Sequence, residues 1–288
     1  MINCGARGHD VTWGDTPERL ASGLAGYGVH TVQLALAKSF PSISSDAAHL
    51  NPGMGMRVRR ALDAHGVDIA VLGCYINMTH PNAGLRESAL RRFEAHLANA
   101  RFFGSPMVAS ETGSVDAAPG RFTEENFSEA MYRQALDSIR RLVAVGERFG
   151  TMVGIEPGAN HPIYDIATTE RLLADVDSPW LGIIFDATAY TTPDGRGVDG
   201  STQLQLAQTA FDRFGERIMA VHIADFTVEP SDATACGTDI RRCDAGDGVL
   251  DIEGILTLAN ARRPWIPVIF EHTVDEAIAR AVRRYGNL

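Results

Sequence analysis

MVGIE, residues 152–156, is a run of four uncharged residues closed by a glutamate, and the same construction returns as LGIIFD at 181–186, IMAVH at 218–222 and PVIFE at 267–271. Each run has the length of a buried β-strand and is continuous rather than alternating. That pattern belongs to strands covered on both faces, as in a parallel sheet. Working outward, further apolar runs stand around Ile2, from Thr31 to Leu36, from Asp68 to Tyr75 and from Pro106 to Ala109. Together they make eight candidate strands.

The intervening segments read as helices. Thr16-Pro17-Glu18 combines a capping hydroxyl, a proline at the first helical position and a favourable acid, followed by Leu20, Leu24 and Tyr27 and stopped at Gly28. Leu90, Phe93, Leu97 and Ala100 share one helical face before Gly104, and Leu136, Ile139, Leu142 and Val143 share another before Gly150. Eight strand–helix units predict an α/β fold, a single (β/α)8 TIM barrel spanning residues 1–288, with right-handed crossovers. The rival, an open doubly wound sheet, usually carries a glycine-rich phosphate turn after its first strand. Gly5-Ala6-Arg7-Gly8 does not satisfy that fingerprint. Residues 227–249 read as one long irregular loop after the seventh strand, a length typical of lids and binding elements.

Composition narrows the function classes. The chain has 288 residues, enough for one barrel with a sizeable core, and a net charge of -10 with no cluster of Lys or Arg. Nucleic acid is therefore not an expected partner, because affinity for a phosphate backbone rests on clustered cations. No apolar stretch approaches the roughly 20 residues of a membrane span, and MINCGARGHD does not read as a secretion signal. A cytoplasmic protein with no membrane partner is expected. Its four cysteines are too few and too scattered for a disulfide framework, so reduced thiols are the default.

The residues that close the last four strands carry the chemistry. In a barrel, the C-terminal strand ends converge on one mouth, so Glu156, Asp186, His222 and Glu271 are delivered as neighbours despite their separation in sequence. Three carboxylates and one imidazole make a hard, oxygen-rich set for a single divalent ion, Mn²⁺ foremost, with Mg²⁺, Co²⁺ or Fe²⁺ as alternatives. A dication so held can chelate adjacent oxygens of a hydroxy ketone and acidify the neighbouring C–H. Glu156 and Glu271 are the expected proton carriers flanking that carbon. Singly, each acid also reads as a helix cap or loop residue and the histidine as a core residue. Four such residues at the ends of successive buried strands outweigh that bland account.

These motifs resemble the sugar isomerase and epimerase family with a xylose-isomerase-like barrel, which includes ketose 3-epimerases, hydroxypyruvate isomerase, inosose dehydratase and apurinic endonuclease relatives. GIEPGANHP around Glu156, GIIFDATAY around Asp186, VHIADF around His222, GDGVLD at 246–251 and VIFEH around Glu271 carry the resemblance, which covers essentially the whole chain. RGHD, LALAKSF, VLGCYIN and SETGS further resemble a bacterial subgroup of sugar phosphate isomerase/epimerase proteins. The resemblance implies one Mn²⁺-like ion on the four residues, with Glu156 and Glu271 as the acid–base pair. Two departures from the pattern stand out. Epimerases of the family often place a histidine three residues after the aspartate, where this chain has Ala189, and an arginine six residues after the strand-seven histidine, where it has Val228. Both argue against strict ketose 3-epimerase activity. Glu111 and Ala189 stand where the endonuclease relatives need histidines.

The early strand ends supply Arg7, His9, Lys38, Tyr75, Asn77 and His80, a possible wall opposite the metal; Glu111 and His161 follow strands four and five. Of these, His9, Lys38, Asn77, Glu111 and His161 are the expected substrate contacts. Lys38 reads equally as a phosphate or carbonyl ligand and as a solvated loop residue, and His161 as a residue orienting a ligand or an exposed one. Asp225 is favoured as structural. Cys236 and Cys243, with Asp239 and Asp244, match no tight zinc spacing. The expected function is a metal-dependent isomerase or epimerase of a sugar or polyol substrate, acting through an enediolate. Its rivals are a lyase on the same scaffold, of the inosose dehydratase or 3-oxo-glycoside-cleaving kind, and a non-catalytic binding or partner subunit. By family analogy the chain is a homo-oligomer.

Overall fold

All eight strands form, and they close. The structure is a computed structural model that describes residues 1–117, 122–190, 200–232 and 238–288. Around the barrel run β1 (Asn3–Arg7), β2 (Thr31–Leu34), β3 (Asp68–Gly73), β4 (Met107–Glu111), β5 (Met152–Glu156), β6 (Leu181–Asp186) and β7 (Ile218–Ile223). An outlying antiparallel pair follows, β8 (Phe226–Pro230) and β9 (Thr238–Arg242), and then β10 (Pro267–Phe270) closes the barrel between β7 and β1. Every neighbouring pair within the barrel is parallel. This is the expected (β/α)8 TIM barrel. Three strand ends move: β2 stops at Leu34 and the chain turns into a short helix, Leu36–Ser39, β3 stops at Gly73, short of Tyr75, and β4 runs on so that Glu111 is its last residue.

The helices obey the signals in their sequences. Thr16 accepts the Arg19 N–H at the start of Pro17–Gly26, and Leu20 and Leu24 are fully buried beneath that helix. Ala83–Phe103 buries Leu90, Phe93, Leu97 and Ala100 and ends at Gly104, whose φ of 76° is left-handed and favours a residue without Cβ. His96 lies on that buried face, where its Nδ1–H donates to the Arg92 carbonyl at 2.8 Å. Burial pushes the His96 imidazole down to about 4, so it is neutral in the folded protein.

Inside the barrel the strands alternate, and Met152, Gly154 and Glu156 of β5 share one face. The lower layer is apolar and tight, built from Val71, Met107, Ala109, Ile184 and Ala220. A Cβ on Gly154 would lie 2.6 Å from the Met107 sulfur, so this strand needs glycine to let a methionine fill the axis. The charged ends of the strands lie above this filled floor.

The stretch after β7 corrects the expectation of an irregular loop. Residues 226–230 and 238–242 pair as a hairpin, with Val228 opposite Ile240 and Phe226 opposite Arg242. Beyond it, residues 246–250 wrap around the Asp225 carboxylate. Its Oδ1 accepts from the N–H of Phe226 at 2.8 Å and of Leu250 at 3.0 Å, and its Oδ2 accepts from Gly246 and Gly248, both at 2.9 Å. A Cβ on Gly248 would fall 2.2 Å from that carboxylate. Glycine is therefore the price of letting the backbone approach so closely, and the expected structural role of Asp225 follows from these four bonds. Among the described residues, no helix is long and apolar enough to cross a membrane.

Two outcomes test this account of the fold. Asp225→Asn keeps one acceptor oxygen and turns an NH₂ toward two backbone N–H groups, so it should lower the unfolding free energy by about 3 kcal/mol in denaturant titrations. For His96, the unfolded chain binds a proton below its ordinary value of 6.5 while the folded chain does not until about 4, so acid favours unfolding across that window. The stability advantage of the wild type over His96→Gln should therefore shrink by roughly 2 to 3 kcal/mol between pH 7 and pH 4.5, and an unchanged difference would contradict a buried neutral imidazole.

Candidate metal centre

Strand alternation brings a ring of polar side chains to the upper end of the barrel. Arg7 ends β1, Gln33 lies in β2, Glu111 ends β4, Glu156 ends β5, Asp186 ends β6, His222 lies in β7 and Glu271 directly follows β10. The register sets them side by side: Arg7 opposite Gln33, Glu111 opposite Glu156, and Asp186 opposite His222.

Three of the four expected ligands converge. Glu156, His222 and Glu271 offer one ligand atom each within 4.8 Å of one another, and all three are buried. His222 Nδ1 lies 3.0 Å from Glu156 Oε1 and 3.2 Å from Glu271 Oε1, while its Nε2 is 2.8 Å from Gln33 Oε1. Asp186 is buried beside His222 but outside this convergent group, and its Oδ1 accepts the Thr188 N–H at 2.8 Å. Burial pushes the Asp186 carboxyl up, against the opposing pull of Arg242 and His222.

The charges of the trio depend on one another. Burial disfavours the His222 imidazolium, yet Glu156 and Glu271 outweigh burial and push it up to about 9. Burial raises Glu156 to about 7, only partly countered by His222. Burial also opposes ionisation of Glu271, but His222 and then Arg7, whose Nη1 is 3.4 Å from Glu271 Oε2, prevail and hold that carboxyl below the usual range. Arg7 is itself clamped by both oxygens of Asp10, at 2.8 and 3.0 Å. A hard dication fits the donor set: two buried carboxylate oxygens and one imidazole nitrogen lie within 4.8 Å of one another, close enough for a single cation to take all three.

The expected substrate contacts divide around this centre. An open cleft of about 650 Å³ is lined by Tyr75, Asn77, His80, Arg92, Glu111 and His161, among others. It adjoins the trio through Glu111, the register partner of Glu156, and through Tyr75, whose hydroxyl accepts a hydrogen bond from Gln33 at 2.9 Å. His161 Nδ1–H donates to the Gly113 carbonyl at 2.8 Å, which directs Nε2 away from that bond. Asn77 lines the cleft, but its amide is engaged: Nδ2 donates to the Ser114 carbonyl at 2.7 Å, and Oδ1 accepts from the N–H of Thr79 and of Ser114. His9 and Lys38 do not line the cleft. His9 has a buried Nδ1 without a partner among the described residues, and burial followed by Arg7 and Lys38 pushes the ring down to about 3. Lys38 is exposed, with its ammonium 4.2 Å from the centre of the Tyr75 ring.

Gln33 and Arg242 carry no signal in the strand-end motifs. Gln33 is a polar residue inside the run TVQL, and its burial is the mark that sets it apart. Arg242 reaches the backbone of Ala224 at 3.4 Å from the hairpin, so an arginine acts on Asp186 and Glu271 although Val228 is exposed and apolar. Of the cysteine pair considered as a second metal site, Cys243 is half-buried and Cys236 lies outside the described residues.

Comparison with known structures places this geometry in context. The 3-keto-D-glucoside 4-epimerase from E. coli superimposes with a TM-score of 0.74 at 16% identity over 100% of both chains. A xylose isomerase-like TIM barrel protein from Mycobacterium smegmatis, solved with magnesium, gives 0.69 at 15% identity over 94% of this chain and 87% of that one. The probable 3-DHS dehydratase AsbF from Bacillus anthracis gives 0.67 at 13% identity over 97% of this chain and 98% of its own. At such identities the likeness is one of fold, and this fold houses both epimerase and dehydratase. Curated protein sequences give no match. The family model described as xylose isomerase-like TIM barrel matches residues 23–285, nearly the full length of the chain, and the chain belongs to that family.

Proposed function

We propose that the chain is a divalent-metal-dependent isomerase or epimerase acting on a sugar or polyol that carries a carbonyl. The observation that carries this reading is the placement of Glu156 Oε1 and Glu271 Oε1 at 3.0 and 3.2 Å from the same buried nitrogen, His222 Nδ1. In this reading Glu156, His222 and Glu271 hold the ion, with Asp186 as a fourth ligand, and the oxygen-rich set favours Mn²⁺ over Mg²⁺, Co²⁺ or Fe²⁺. A bound dication supplies Lewis acidity that makes the C–H beside a carbonyl easier to deprotonate.

The chain's own groups divide the proton work. Glu271, with one oxygen 3.4 Å from Arg7 and the other 3.2 Å from His222, accepts the proton, and Glu156, on the separate strand β5, returns one. Two carboxyls whose surroundings push them apart are suited to opposite roles. Glu111 and His161 bind substrate hydroxyls from the cleft wall, Asn77 holds that wall in place, and His9 and Lys38 act from the β1 and β2 side.

Ala189 favours a second reading. A methyl group stands where epimerases of the family often carry a histidine, and elimination needs one carboxyl as base and the other to protonate the leaving oxygen on the carbon next to the enolate. A lyase reading uses the same Glu271 and the same ion.

Chelator-stripped protein should take up one Mn²⁺ per chain in calorimetric titration, and His222→Ala should not. With ketoses, inososes and oxo-glycosides in deuterated water, C–H exchange with unchanged product formula supports isomerisation, whereas loss of water or aglycone supports the lyase. Glu271→Gln should lower turnover by about 10²- to 10⁴-fold while circular dichroism stays native. Full activity in that variant, or failure of the wild type to bind any divalent ion, would sink the proposal.

A further inference from the structure

We infer that Gln33 is a positioning residue of the metal centre: its carboxamide fixes which nitrogen of His222 carries the proton and thereby sets how tightly a divalent cation is held. The inference rests on the metal-dependent reading above. A neutral imidazole has one N–H and one lone pair, so the partner of one nitrogen dictates what the other offers. His222 Nε2 meets Gln33 Oε1 at 2.8 Å, and an oxygen acceptor there requires Nε2–H. When a cation takes the place of the proton that Nδ1 shares with Glu156 and Glu271, the ring is neutral and Nδ1 offers its lone pair to the place where those carboxylates converge. The reverse orientation of the amide would turn an N–H toward Nε2, place the ring proton on Nδ1 and bar coordination.

Tyr75 holds the other end of the amide. Gln33 Nε2 donates to the Tyr75 hydroxyl oxygen at 2.9 Å, so the Tyr75 O–H proton points away from Gln33. Tyr75 also lines the cleft. One directional chain, from His222 through Gln33 to Tyr75, therefore couples the lone pair that binds metal to a hydroxyl donor at the edge of the substrate cleft. Gln33 is buried, so its amide is satisfied by these two partners rather than by bulk water.

The test compares Gln33→Met, which keeps length and volume without an acceptor, with Gln33→Glu, which restores an oxygen to Nε2. Mn²⁺ is titrated calorimetrically into chelator-stripped wild type and both variants, after melting curves in chelator establish that each is folded. Partners that orient a ligating histidine typically change metal affinity by about 10- to 100-fold, and that weakening is expected for Gln33→Met. Gln33→Glu should recover affinity to within about threefold of the wild type on the same reasoning. In zinc-loaded protein labelled at histidine, the ¹⁵N spectrum should show His222 protonated at Nε2 in the wild type and in Gln33→Glu. Wild-type affinity in Gln33→Met, or equal losses in both variants, would overturn the inference while leaving the metal-dependent reading intact. Failure of the wild type to bind Mn²⁺ would overturn both.

Discussion

A buried imidazole between two buried carboxylates governs the upper half of this barrel. Neither Glu156 nor Glu271 has water enough to stabilise its charge, and His222 has none. In such surroundings an uncompensated charge costs several kcal/mol, so the three groups must share a proton or a cation. Their separations of 3.0 and 3.2 Å satisfy that requirement in either state. Arg7, anchored on Asp10, biases the sharing toward an anionic Glu271. The asymmetry gives two similar side chains different chemistry.

The lower layers make this possible. Small residues on the inward faces, such as Gly154 and Ala109, let methionines fill the axis beneath the ring. Above the ring, the Asp225 carboxylate gathers backbone N–H groups from residues 246–250 and pins the segment leading from the hairpin into the helix Ile252–Arg262. A loop that supplies Arg242 to the rim is thereby attached just past β7, at Asp225, three residues from His222.

Much of this architecture was legible in the chain. Continuous apolar runs announced buried parallel strands, and the acids and imidazole closing the last four of them announced a shared mouth. Asp186 shows the limit of that reading: its strand position is the expected one, yet its carboxylate bonds to Thr188 and stays outside the convergent trio. The hairpin leaves no mark in the sequence because a two-stranded ribbon standing outside the core has no apolar run; TVEP and TDIRR are mostly polar. Lys38 and His9 do not line the cleft: Lys38 lies in the helical turn Leu36–Ser39 that follows the early end of β2, and His9 in the turn Gly8–Asp10 after β1.

By itself the sequence determined the eight barrel strands, the polar residues that close the last four and the hard character of the ligand set, because these follow from local periodicity and residue chemistry. Only the tertiary structure decided which of those residues meet, since closure and stagger of the barrel set distances across positions far apart in the chain. Gln33 is the clearest instance: within TVQL it is one polar side chain in an apolar run, and it becomes a partner of His222, 189 positions away, only when β2 and β7 face each other across the closed barrel.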